Sequence, residues 1–152
     1  MIIRTAAPED AKVIHTLGEA VSEFATGRDT VTFWPEGILK AAVQDATVII
    51  LVAEVGQEIT GFIIANCNKP LSKALIENIY VQPAYRGQGI GTALVQALIK
   101  EAKTRGYEYI AVLTPPDDTP AIKTYEKVGF MPGETFLWLD YNESEQFKKE
   151  GA

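Results

Sequence analysis

Apolar positions along the chain change period several times, and each change marks a new element. A short first strand, IIRTAA, is stopped by Pro8, a residue suited to the first turn of a helix, where its missing N–H is not needed. Val13, Ile14, Leu17, Val21 and Phe24 then recur at helical spacing and predict an amphipathic helix over residues 9–24. The polar stretch within ATGRDTVTF breaks it, and a shorter helix is expected from Trp34-Pro35 through EGILKAAVQDA. Residues 47–55, TVIILVAEV, form a continuous β-branched run, and EITGFIIANC follows the turn residues Gly56 and Gln57, which predicts a buried hairpin. After the polar break NKPLSK, LIENIYV supplies a third consecutive strand.

Helical spacing returns at residue 90. Ile90, Leu94, Ala97, Leu98 and Ala102 share one face, basic residues fill the last turns, and Gly106 terminates the segment. YIAVLT is the next strand. A final helix is expected with Thr119 as N-cap, Pro120 at the first helical position and Gly129 at its stop. ETFLWLDY predicts a last strand, and NESEQFKKEGA is a polar tail. The order β-α-α-β-β-β-α-β-α-β describes an α+β domain with a mixed, centrally antiparallel sheet over residues 1–141, followed by the tail at 142–152.

Composition narrows the function classes. The chain has 152 residues, 47% hydrophobic and 22% charged, the profile of one globular domain. A net charge of −6 is the reverse of the basic footprint that nucleic acid selects, so no nucleic-acid partner is expected, and it mildly favours a cationic ligand. No apolar run is long enough to span a bilayer, and the first residues lack the order of a signal peptide, so the expected location is cytoplasmic with no membrane partner. A single cysteine, Cys67, and no Cys/His cluster of ligand spacing leave no metal site to expect.

The strongest local signal is YRGQGIG, residues 85–91, between a strand and a helix. Unpaired N–H groups and the positive end of a helix dipole converge at such a junction and receive an anion, and glycines let the main chain approach a pyrophosphate. Arg86 can add a charge-assisted hydrogen bond. The ligand-free alternative is a tight turn, for which one glycine normally suffices. The spacing departs from the dinucleotide fingerprint G-x-G-x-x-G, and Gly91-Thr92 lacks the lysine of a P-loop.

IENIYVQPAYRGQGIGTALVQALIKEAKTRGYEYIAVLT, followed by PAIKTYEKVGF, resembles the acetyl-CoA-binding core of the GNAT superfamily of N-acetyltransferases. Arg86, Gly89 and Gly91 meet that family's arginine-or-glutamine, x, x, glycine, x, glycine-or-alanine signature, and the likeness covers residues 75–131 most strongly. It implies a V-shaped splay between the fourth and fifth strands that receives the pantetheine arm of acetyl-CoA as co-substrate. It implies further that main chain near Ile79, Tyr80 and Val81 pairs with the pantetheine and thioester. Backbone N–H groups of Arg86, Gly87, Gln88, Gly89, Ile90, Gly91 and Thr92 would then hold the pyrophosphate.

Acetyl transfer needs an uncharged amine, support for an oxyanion, and a proton for the departing thiolate. Glu77, read as sharing a strand face with Leu75, Ile79 and Val81, is the candidate base as a partly desolvated carboxylate with a raised pKa, acting directly or through water; the alternative is an exposed strand glutamate. The resemblance gives Tyr125 the role of proton donor to coenzyme A, against an aromatic core residue on the face of Ala121, Ile122 and Val128. A backbone N–H at Ile79–Val81 would meet the oxyanion. The family often has asparagine seven residues before that tyrosine, and here the position is Asp118; Asp117 and Asp118 either cap the helix or bind a cationic amine. Phe33 and Trp34, in a region bordering the acceptor pocket of such folds, are either an acceptor wall or simple packing. His15 is expected at the surface, and Cys67 as a buried strand residue.

The expected function is N-acetyl transfer from acetyl-CoA to a primary amine of a small molecule or peptide by direct attack in a ternary complex. The alternative is an acetyl-CoA-binding sensor without efficient transfer, and a structural protein whose glycine loop binds no phosphate is a third class. Segments 22–40 and 66–74 are expected to shape the acceptor pocket, and the apolar surface of TFLWLDY allows a homodimer.

Overall fold

The β-branched runs form the centre of a five-stranded sheet. The computed structural model describes residues 1–25 and 31–141. Its strands are β1 (Ile2–Thr5), β2 (Val48–Val55), β3 (Glu58–Asn68), β4 (Lys73–Val81) and β5 (Tyr109–Val112), in the spatial order β1-β2-β3-β4-β5. The first four pair antiparallel, and β5 joins β4 in parallel. The helices are α1 (Ala11–Glu19), α2 (Glu36–Ala42), α3 (Ile90–Thr104) and α4 (Thr119–Glu126). Gly56 and Gln57 make the expected β2–β3 turn, with Gly56 at φ 66°. Among the described residues, no helix is long and apolar enough to cross a membrane.

Alternation along the strands separates two cores. Ile49, Leu51 and Ala53 of β2 and Ile63 and Ala65 of β3 face α3, where they meet Leu94, Val95 and Leu98. Val48, Ile50 and Val52, with Phe62 and Ile64, face α1 and α2 and pack on Ile14 and Leu39. The sheet is therefore covered on both sides, which is why its central strands read as unbroken apolar runs. Gly18 belongs to the second core because the Phe33 ring lies where its Cβ would be.

Several boundaries differ from the sequence reading. The helix expected over 9–24 splits into a 3₁₀ turn at Pro8–Asp10, α1, and a second 3₁₀ turn at Ser22–Phe24, with Val21 extended at φ −97°, ψ 100°. The break swings Phe24 onto Phe33, ring centroids 5.4 Å apart, and that packing outweighs continuation of the helix. Val13 is exposed, because the buried face of α1 runs through Ala11, Ile14 and Gly18. Helix α2 ends at Ala42 rather than Ala46, because Asp45 turns the chain by accepting from both the N–H and the hydroxyl of Thr47.

The largest correction concerns ETFLWLDY, which forms no strand. Phe136, Leu137 and Leu139 are 72%, 82% and 82% exposed. The run is apolar on both of its alternating faces, and apolar content alone supplies no ladder; a strand exists only through its partner. Residues 142–152, expected as a polar tail, lie outside the described residues.

Candidate active site

Strand β4 changes register beside the centre of the sheet. Ile64 pairs with Asn78 and Ala65 with Ile76, so Glu77 is an extra residue with no partner on β3. This bulge reverses the alternation: Ala74 and Ile76 face α3 before it, and Ile79 and Val81 face α3 after it. Glu77 accordingly does not share a face with Ile79 and Val81. It stands exposed, accepting a 3.2 Å hydrogen bond from Asn66 Nδ2, and the premise of a desolvated carboxylate is corrected.

The pairing of β4 with β5 covers only Lys73–Ile76 against Tyr109–Val112. Beyond it β4 continues to Val81 with β3 on one flank and, among the described residues, no partner strand on the other. This is the splay expected between the fourth and fifth strands. Ile79, Tyr80 and Val81 lie along it, and the chain then passes through a 3₁₀ turn at Pro83–Tyr85 into α3. The turn is anchored to the β2–β3 hairpin by Gln82 Nε2 donating to the Ile59 carbonyl at 2.7 Å and Tyr85 Oη donating to Glu58 at 2.8 Å.

At the head of α3, Gly87 and Gly89 hold φ of 75° and 82°, a region that side chains with a Cβ avoid, and an added Cβ on either would meet no heavy atom within 4 Å. The space before the loop is therefore open. Gly89 is the N-cap and offers no side-chain acceptor, and the first turn carries no acidic residue, so the leading amides of Ile90, Gly91 and Thr92 keep their capacity for an anion. Arg86 is folded back: its Nε donates to the Val81 carbonyl at 2.8 Å, and its guanidinium sits 5.8 Å from the Tyr80 ring centre. Gln88 donates from Nε2 to the Ala84 carbonyl at 3.4 Å. An uncapped helix head, an open glycine loop and an unpaired strand flank fit an extended anionic thioester such as acetyl-CoA.

Helix α4 closes this region. A Cβ on Gly91 would lie 3.6 Å from Thr124 Cγ2 and 3.9 Å from Val81 Cγ2, which brings α4, the first turn of α3 and the end of β4 together. Tyr125, on that helix, is 5% exposed and packs on Phe130 with ring centroids 5.4 Å apart. Burial, aided by the charge of Asp118, pushes its phenol up to about 12. Asp118 rather than Thr119 is the α4 N-cap, its Oδ1 accepting from the Ala121 N–H at 3.2 Å, so the helix starts one residue earlier than expected. Asp117 is exposed before it.

On the opposite face of the sheet, a cleft of about 420 Å³ opens beside the bulge. Phe33, Trp34 and Glu77 line it, and so do Phe24, Asn78 and Trp138. Asp117 and Asp118 do not. Trp34 is fixed at two points: its Nε1 donates to Asn78 Oδ1 at 3.0 Å, and its carbonyl lies 2.9 Å from His15 Nδ1. His15 is thus half-buried in a structural role, with Nε2 at 3.1 Å from Glu19. Asn78 went unrecognised although a polar residue beside Glu77 in an apolar strand was a usable signal. Trp138 had no signal, because its segment read as a strand. Cys67 lies in β3, half-buried, with its thiol pushed up by burial.

Together these features define an α+β architecture in which a splayed parallel pair leads into a glycine loop and an uncapped helix head, with a cleft on the opposite face of the sheet. A family profile described as the acetyltransferase (GNAT) family matches residues 15–130, and the chain belongs to that family. It is 36% identical over 94 residues to an uncharacterised N-acetyltransferase of Methanocaldococcus jannaschii, covering 58% of this chain and 42% of the relative. The chain spans less than half the length of the curated relatives it matches. Among solved structures, an aminoglycoside acetyltransferase from an uncultured soil metagenomic sample, in complex with sisomicin, superposes with a TM-score of 0.76 at 20% identity, over 93% of this chain and 95% of that one. An aminoglycoside N-acetyltransferase in complex with coenzyme A gives 0.74 at 17% identity, over 93% and 99%. At these identities the likeness concerns the fold.

Proposed function

We propose that the chain is an N-acetyltransferase that moves the acetyl group of acetyl-CoA to a primary amine by direct attack in a ternary complex. The observation that carries this reading is the flank of β4 without a partner strand among the described residues, running into the uncapped head of α3, with α4 packed beside it through Thr124. Acetyl-CoA supplies an activated thioester. Main-chain groups at Ile79, Tyr80 and Val81 orient the pantetheine arm and offer an N–H to the oxyanion, and the amides from Arg86 to Thr92 hold the pyrophosphate. Glu77, at the mouth of the cleft, takes the amine's proton directly or through water. Its exposure favours the water-mediated route, since solvent reaches it.

Tyr125 supports the departing thiolate. A phenol near 12 facing a thiol of ordinary pKa, about 8.5, would transfer its proton uphill by roughly 5 kcal/mol. Hydrogen-bond donation, rather than complete transfer, is the role that suits it. The alternative of an acetyl-CoA-binding sensor draws on the same residue, because a 5% exposed tyrosine is also what a purely structural aromatic looks like. A cytoplasmic location belongs to the proposal and is tested by cell fractionation. A homodimer belongs to it as well, supported by the exposed apolar run at Phe136–Leu139 and tested by sedimentation.

The deciding experiment pairs calorimetric titration with coenzyme A and a thiol-release assay over primary amines. Binding with turnover is expected. Binding without turnover of any amine supports the sensor, and absence of binding sinks both readings.

A further inference from the structure

We infer that the cleft beside Glu77 selects a monoamine whose single ammonium is carried on a flat apolar body, an arylalkylamine or a peptide N-terminus followed by an aromatic side chain. The inference rests on the transferase reading and gives its acceptor a chemical class. The described lining holds one carboxylate, Glu77, and no other acidic group. One ammonium is matched there. A ligand carrying several ammonium groups would meet no second carboxylate in the described lining, and the rest would lie against Phe24, Phe33, Trp34 and Trp138 with only the neutral oxygens of Thr32 and Asn78 in reach of that lining.

The aromatic wall is also built to stay in place. Phe33 stacks between Phe24 and Phe62, with centroids 5.4 Å and 5.5 Å away, and Trp34 is tied to Asn78 and to His15. A fixed wall loses little conformational freedom when a flat ligand docks on it. Trp138 lines the same cleft from the chain after α4 and is 57% exposed, which adds a further aromatic side chain to Phe24, Phe33 and Trp34. Aromatic side chains favour a flat ring packed among them, and their faces attract a cation. The volume of about 420 Å³ suits a body of that size and falls in the usual range for small-molecule sites.

The test compares 2-phenylethylamine with propylamine, spermidine and kanamycin, and adds phenylalanyl-glycinamide to separate a free amine from a peptide terminus. Acetylation rates are measured alongside equilibrium binding of each amine in the presence of coenzyme A. The expected result is that 2-phenylethylamine, the peptide or both exceed propylamine and both polycations in kcat/KM and in affinity by about tenfold or more. In Trp138→Ala the ratio of 2-phenylethylamine to propylamine falls toward one, Trp138→Phe restores it, and Met131→Ser, exposed on the chain after α4 but outside the lining, leaves it unchanged. Preference for a polycation, or no preference among acetylated amines, overturns the inference while acetyl transfer stands. Selective, Trp138-dependent binding of the aryl amine without turnover keeps the inference and removes the transferase reading. No binding of any amine overturns it as well.

Discussion

At the scale of single residues, protonation states assign roles. Burial keeps the Tyr125 hydroxyl protonated up to about 12, so its ionisation should not reduce the rate below about pH 11. Tyr125→Phe retains the packing on Phe130 and removes only the donor; kcat should fall about 10- to 100-fold with coenzyme A affinity within about twofold, as turnover and calorimetry together would read. Glu77→Gln should lower kcat/KM about 100-fold while thermal unfolding hardly moves, because the side chain is exposed and its Asn66 contact survives. Asp10 has a structural part. Its carboxylate receives two Arg4 bonds, at 2.7 Å and 3.0 Å, and the Ala7 N–H at 2.7 Å, and the Arg4 guanidinium holds it below the usual carboxylate range. A depressed folded value means stability that is present above about pH 4, the ordinary value for aspartate, and lost as pH falls through the folded one. Asp10→Asn should therefore cost about 1–3 kcal/mol at pH 7 and approach the unmodified protein's stability in acid, by urea denaturation at the two pH values.

Among elements, the α3 head offers the cleanest separation of fold from ligand. Gly89→Ala places a Cβ at φ 82°, costing about 1–2 kcal/mol of stability. That Cβ touches nothing in the protein and points into the space before the loop, so coenzyme A affinity should drop by more than the stability loss explains, about tenfold or beyond, in paired titration and denaturation experiments. The same element was the most legible part of the sequence: period, glycines and basic last turns all agree on Ile90–Thr104. The hairpin from Val48 to Asn68 was nearly as plain, since β-branched runs around Gly56 and Gln57 leave little choice. What escaped was set by contacts distant in sequence. Phe24 leaves the first helix to stack on Phe33; Glu77 changes face because β3 and β4 slip by one residue; Trp138 joins the cleft because its segment finds no strand to pair with. Periodicity reports neither a bulge nor a missing neighbour. The glycine loop and α3 head proposed to hold the cofactor were legible as structure because they are one contiguous stretch, whereas the cleft draws on α1–α2, β4 and the chain after α4.

For the molecule as a whole, two covered faces leave its weak point at the edge. Coenzyme A lying along the splay should stabilise the protein by about 2.7 kcal/mol at a hundredfold excess over its dissociation constant, and raise the unfolding midpoint by about 5–10 °C in calorimetry. The four-residue β4–β5 ladder has a further consequence outside chemistry. Strand β4 past Ile76 presents main-chain groups with no partner strand, and an open flank of that kind templates pairing between molecules. In an extract depleted of coenzyme A the protein should coagulate faster on warming than its folding stability alone predicts, as light scattering would follow. Coenzyme A, if it occupies the splay as proposed, would then also act as its guardian, setting how much of the protein remains dispersed when the supply runs low.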